Sequence, residues 1–159
     1  NTNLELKNEI VSIFGKRIYE NGILNTKLLS SIVFSDPEKI EQLTNLVHPK
    51  VGEDFNLWVT KNNKKPILVK EAAILIESGS YLSMDKIILI VSEKATRLSR
   101  VSKRDKTDLK SIQNRINLQM RDTEKIKLAD YVIENNSTLK NLKIEVLKVV
   151  SEIKEASKR

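Results

Sequence analysis

The sequence predicts an α/β protein, helical in its first half and built around a parallel sheet in its second. Three observations carry this. Apolar residues recur at helical spacing before Pro66; Ile67-Leu68-Val69 and Ile87 to Val91 are compact apolar runs without alternation; and helical stretches follow both runs. Strands that need no alternation are buried on both faces, as in parallel sheets covered by helices, so a βαβ arrangement is expected. At 159 residues, 40% hydrophobic and 31% charged, the chain can form one domain or one lobe with a small appendage.

The elements follow in order. Leu6, Ile10, Ile13 and Phe14 predict a first helix that Gly15 ends. Asn21-Gly22 is a turn, and Leu24, Leu28, Leu29 and Ile32 predict a second short helix. Ser35-Asp36-Pro37-Glu38 is a helix start, with a polar cap, proline in the first turn and a glutamate three residues after Ser35. Ile40, Leu43 and Val47 form that helix's apolar face, and Pro49 is expected to break or kink it at His48 before Val51, Phe55, Trp58 and Val59 resume the spacing. After the apolar runs, residues 93 to 104 and 108 to 128 read as helices, the second carried by Leu109, Ile112, Ile116 and Met120. Tyr131-Val132-Ile133 is a third strand, and Leu139, Leu142, Val146, Val149 and Ile153 stripe a last helix ending in a frayed basic tail.

Composition narrows the chemistry. With no cysteine, disulfides, thiolate metal sites and cysteine nucleophiles are excluded, and a reducing cytoplasm is compatible. No apolar run approaches the roughly 18 to 20 residues that span a bilayer, so a soluble cytoplasmic protein without a membrane partner is expected. The net charge of +7 calls for an anionic partner. Aromatics total only 4% and are not interleaved with basic residues, so nucleic acid is the weaker choice of partner.

Arg97, Arg100 and Arg104 fall at i, i+3 and i+7, placing three guanidinium groups on one helical face. Like charges so placed cost about 0.2–0.5 kcal/mol per pair, and lysine would serve solubility equally well, whereas arginine suits bidentate phosphate recognition. Arg115 could close the cluster across the turn at Lys106 to Asp108. The alternative is a solvated basic face with Asp105 and Asp108 as local partners. His48, the only histidine, is a candidate general base or else a ring that caps or packs at a helix bend. Glu71 and Glu77 follow the first apolar run, where ligands of open α/β sheets gather, and are favoured over Asp85. A phosphate loop is missing: the four glycines, at 15, 22, 52 and 79, are isolated, and no zinc-type ligand spacing exists.

Several segments, in order, are similar to dephospho-coenzyme A kinases. Ile13-Phe14-Gly15 with Asn21-Gly22-Ile23-Leu24-Asn25 resembles that family's "FG…dG.ld"; Val33-Phe34-Ser35-Asp36-Pro37 and Leu46-Val47-His48-Pro49-Lys50-Val51 resemble "iF.dp" and "l.HP.i". Ala72 to Gly79 takes the place of "PLLfEsg", Asp85 to Val91 that of "D.vivV", and Arg100 to Asp105 that of "R…RD". Arg115 to Gln119 resembles "Ri..Q", and Ala129 to Asn136 "AD.vI.N.g". Two departures stand out: Ala73 replaces a usual proline, and Ser137 a frequent glycine, where a positive φ would be costly.

The resemblance implies a P-loop nucleoside-monophosphate-kinase-like fold, with a parallel sheet, a helical coenzyme A-binding domain and a lid, here lacking the first strand and the P-loop. It implies residues 1–65 as most of the coenzyme A-binding domain, 66–92 and 129–159 as part of the core, and 93–128 as the lid. The implied reaction is ATP-dependent phosphorylation of the ribose 3′-hydroxyl of dephospho-CoA, the last step of coenzyme A biosynthesis, with Mg2+ held mainly by the expected preceding segment. Arg100 and Arg104 are the implied catalytic residues. ATP would be bound by Arg100, Arg104, Arg115, Asn135 and Asn136, and the acceptor by His48 and Glu77. A strand, a GxxxxGKS-type loop and an aspartate acting on the acceptor hydroxyl are expected before Asn1, so the chain alone is expected to be inactive. The competing readings are a basic helical nucleic-acid-binding module and another nucleotide kinase of the same fold.

Overall fold

Leu4–Phe14 forms α1, stopped where Gly15 takes φ 85°. The computed structural model describes residues 4–106 and 108–157, so the middle of the turn expected at 106–108 and the end of the basic tail lie outside the described residues. The chain divides into two compact units, Asn1–Lys70 and Glu71–Arg159.

In the first unit, Asn21 and Gly22 both adopt positive φ, the signature of a tight hairpin turn, and join strands β1 (Tyr19–Glu20) and β2 (Ile23–Leu24). Helix α2 (Thr26–Val33) starts at Asn25, whose side chain accepts from the Leu28 N–H at 3.0 Å. Helix α3 (Pro37–Lys61) starts at Asp36, which accepts from the Glu38 N–H at 3.0 Å. Ser35, the other residue of the expected start, instead donates back to the Ile32 carbonyl at 2.8 Å. Ile10, Phe14, Ile18, Leu29 and Val33 are the buried core, with Ile40, Leu43, Leu46 and Val47 of α3 packed on it. Each buried side chain contributes about 1.5–3 kcal/mol. The exposed Lys50–Glu5 ion pair at 3.7 Å contributes about 0–1 kcal/mol, so burial holds this unit together.

Pro49 does not break α3. The helix runs through it, with Pro49 at an exposed position. A second expectation also fails. Ile67–Val69 forms no strand, Val69 is 76% exposed, and no neighbour among the described residues supplies the ladder that defines a strand.

In the second unit, β3 (Ile88–Val91) and β4 (Tyr131–Glu134) pair in parallel, Ile88 opposite Tyr131 and Val91 opposite Glu134. The register begins at a clamp. Asp130 Oδ2 accepts from the Ile87 N–H at 2.8 Å, Oδ1 accepts from Lys86 at 2.7 Å, and the Asp130 and Tyr131 N–H groups both donate to the Ile87 carbonyl. Ile87 and Ile133 are buried, but Ile88 and Ile90 are exposed, so β3 is not covered on both faces among the described residues. Helices α4 (Lys94–Asp105) and α5 (Leu109–Asn117) follow, with Ile112 only 2% exposed. The helix expected over 108–128 is divided: α5 ends at Asn117, a four-residue helix α6 spans Asp122–Lys125, and a 3₁₀ turn follows. Helix α7 (Leu139–Ala156) lies after β4, Val149 its buried residue.

Candidate active site

The C-terminal edge of a parallel pair is where ligands of open sheets gather, and three expected site residues meet there. The Asn135 N–H extends the ladder to the Val91 carbonyl at 2.8 Å. Asn136 Oδ1 accepts from the Glu93 N–H at 2.8 Å, tying the loop after β4 to the start of α4. Arg100, two turns into α4, donates from Nη1 to the Asn135 carbonyl at 2.7 Å. Helix α4 is thus aimed by the sheet edge, and the Arg100 guanidinium keeps most of its five donors for other partners. Ser137 is outside the positive-φ region, so replacing a glycine there carries no conformational cost.

The other arginines divide. Arg104 forks onto Asp105, Nε to Oδ1 at 2.7 Å and Nη2 to Oδ2 at 3.1 Å. The Arg115 Nη1 lies 3.9 Å from the same carboxylate. The Arg104 hydrogen bond, with the charge of Arg115 added, holds the Asp105 carboxyl below its usual range. Because the Arg104 side chain is 74% exposed, this is a weak surface pair. Arg97 turns away to Asp122 on α6 at 3.0 Å, and its Nε is buried without a partner among the described residues. The three-guanidinium face therefore separates: Arg100 is held at the sheet edge, Arg104 shares the Asp105 carboxylate with Arg115, and Arg97 is a tie to α6. Arg97, Asn117, Gln119, Arg121 and Asp122 line a cleft of about 500 Å³.

Glu77 is committed to partners within the second unit. Its Oε1 accepts from Lys125 Nζ at 2.7 Å and from the Met120 N–H at 3.1 Å, and Oε2 is buried without a partner among the described residues. Burial pushes its carboxyl up, but the Lys125 hydrogen bond and the backbone donors outweigh it, so the group titrates below its usual range. This bond explains the division of the helix after α5. Met120 gives its N–H to Glu77 instead of the helical ladder, while the Gln119 N–H closes onto Ile116 in a 3₁₀ step. Lys125 and Asp122 were not singled out by sequence pattern; the only signal is that they stand one turn apart in a short acidic-basic stretch. His48 lies half-buried within α3 in the first unit and makes no side-chain hydrogen bond among the described residues.

No three histidine or carboxylate side chains converge among the described residues, so these residues do not form a Mg2+ cage. Among the described residues no helix is long and apolar enough to cross a membrane.

A parallel β-pair whose C-terminal edge is gripped by an arginine-bearing helix is the frame of a phosphate-handling α/β protein. The family model for dephospho-CoA kinase matches residues 2–141. The dephospho-CoA kinase of Fusobacterium nucleatum is 37% identical over 138 residues, covering 86% of this chain and 71% of that protein. That of Bacteroides fragilis is 32% identical over 131 residues, 82% of this chain and 64% of that protein. The dephospho-CoA kinase structure from Campylobacter jejuni aligns with a TM-score of 0.63 at 30% identity, covering 96% of this chain and 77% of that one. The chain belongs to the dephospho-CoA kinase family, and it spans roughly two thirds of the length of these two curated relatives. Neither the nucleic-acid module nor a different nucleotide kinase is favoured by these matches.

Proposed function

We propose that the chain acts in transfer of the γ-phosphoryl group of ATP to the ribose 3′-hydroxyl of dephospho-CoA, residues 93–128 serving as the lid and residues 1–65 as most of the acceptor-binding domain. The core is assigned to 66–92 and 129–159. The bond from the ribose O3′ to the γ-phosphorus forms as the bond to the bridging oxygen of the β-phosphate breaks, and ADP leaves. In such a transfer the protein's work is positioning and charge compensation. Arg100 and Arg104 are the lid groups that meet the phosphates, Arg115 supports them, and Asn135 and Asn136 belong to the adenine side. His48 is assigned to the acceptor side, in a cytoplasmic protein with no nucleic-acid partner. Mg2+ would accompany ATP rather than be held by these residues.

The observation that supports this reading most is the 2.7 Å bond from Arg100 to the Asn135 carbonyl, which fixes a guanidinium at the sheet edge before any phosphate arrives. The test is acceptor competition in the full-length protein. Dephospho-CoA should be phosphorylated, with a 3′-phosphomonoester resonance appearing in the phosphorus NMR spectrum, and nucleosides lacking the pantetheine arm should compete poorly. Equal use of a plain nucleoside monophosphate would overturn the acceptor assignment. Tight binding to nucleic acid that weakens steeply with salt would favour the basic-module reading instead.

A further inference from the structure

We infer that Glu77 and Lys125 are positioning residues: their buried pair, with the Met120 amide, anchors the return end of the α4–α5 arm and so sets where Arg100, Arg104 and Arg115 stand. The inference rests on the phosphoryl-transfer reading above for its functional meaning, and on geometry alone for the anchor.

Lys125 is the only buried charged residue among those described, 8% exposed. A lysine so placed makes poor sense as solubility, and desolvating an ion pair offsets most of its Coulomb attraction, so its value lies in specifying one arrangement. The arrangement is visible in what each partner holds. Glu77 sits on a self-braced turn: Ser78 N–H reaches the Ile74 carbonyl at 3.0 Å, Gly79 N–H reaches Ile76 at 3.0 Å, Gly79 takes φ 72°, and Ile76 is buried. From this platform one carboxylate oxygen receives both Lys125 Nζ and the Met120 N–H, pinning the chain as it leaves α5. One turn before Lys125 on the same short helix, Asp122 holds Arg97 of α4. Helix α6 therefore holds the Glu77 carboxylate, to which the chain leaving α5 is pinned, with one residue and the first helix of the arm with another. Arg97 and Asp122 fix the near end of α4, and Glu77 with Lys125 fixes the far end of α5.

The test uses hydrogen exchange and kinetics on the full-length protein with Glu77→Gln, Lys125→Met and Lys125→Arg. Glu77→Gln keeps the size of the side chain and an oxygen for Met120 while removing the charge. Amides of residues 109–121 should exchange about tenfold faster in Glu77→Gln and Lys125→Met, while those of Ile88–Val91 and Tyr131–Glu134 change less than about twofold. kcat should fall with little change in KM for dephospho-CoA, and Lys125→Arg should recover both readouts. Unchanged exchange in the arm would overturn the inference. So would an equal rise across both strands, which would make the pair a general stabiliser. If Lys125→Met does not fold, the Glu77→Gln and Lys125→Arg comparison decides the matter by itself. Loosening of the arm in the variants, beside a wild-type protein that never phosphorylates dephospho-CoA, would leave the anchor standing and overturn the kinase reading.

Discussion

Replacing Arg100 by alanine separates two quantities that are often confounded. In the resting protein the side chain makes one exposed bond, to the neutral carbonyl of Asn135 at 2.7 Å, so its loss should cost about 0.5–1.5 kcal/mol of stability. For a unit of this size that lowers Tm by about 4–8 °C per kcal/mol. On the proposed role, the remaining guanidinium donors would face developing phosphate charge in the transition state, and losing one such preorganised group should raise the barrier by about 2.7–4 kcal/mol, or roughly 10²–10³ in kcat. Lysine should recover little, because one ammonium cannot hold the carbonyl and present a planar fork to phosphate together. Steady-state kinetics with ATP and dephospho-CoA on the full-length protein, set beside urea unfolding, measure both. A kcat within about threefold of wild type with unchanged KM for ATP, in a variant that folds, would refute the assignment.

Other outcomes follow from the same geometry. Ile112→Ala removes a fully enclosed side chain at the base of α5 and should cost about 2–5 kcal/mol by urea denaturation. Asp36→Ala removes the cap of α3 and should cost about 1 kcal/mol in the same assay. Glu77 and Asp130 titrate below their usual ranges, so each adds stability that is complete above its unfolded pKa, near about 4, and is lost as pH falls through the folded value. Thermal melts between neutrality and strong acid should therefore fall on the acid side, less steeply in Asp130→Asn. Protein consisting of these 159 residues should not turn over ATP, since none of its four glycines belongs to a phosphate loop; robust coupled-assay turnover would contradict this.

Much of this architecture was legible because it depends on local rules. Gly15 ends α1, Asp36 caps α3 within the start read at Ser35 to Glu38, and apolar spacing marked the faces of α2, α3 and α7. The failures are of one kind. Ile67–Val69 has the composition of a strand but no neighbour among the described residues to complete it, and Met120 left its helix for a carboxylate 43 positions earlier. Each depends on a contact distant in sequence, which periodicity cannot register. At the site, arginine spacing pointed to Arg100 and Arg104, but not to Arg97 being spent on Asp122. Similarly, Glu77 was found by its family segment, while its partner Lys125 was hidden in an ordinary polar stretch.

The Asp130 clamp on Ile87 has a consequence for how the chain can vary. Because Asp130 accepts the very N–H whose carbonyl receives its own, the two strands can be joined in only one phase. Deleting one residue between Leu128 and Tyr131 would preserve every strand-forming side chain yet invert the pleat, turning Ile133 from 3% exposure toward water and Val132 inward. Length in that linker is therefore less tolerant of change than composition, and indels should be survivable in the hairpin at Asn21-Gly22 long before they are survivable here.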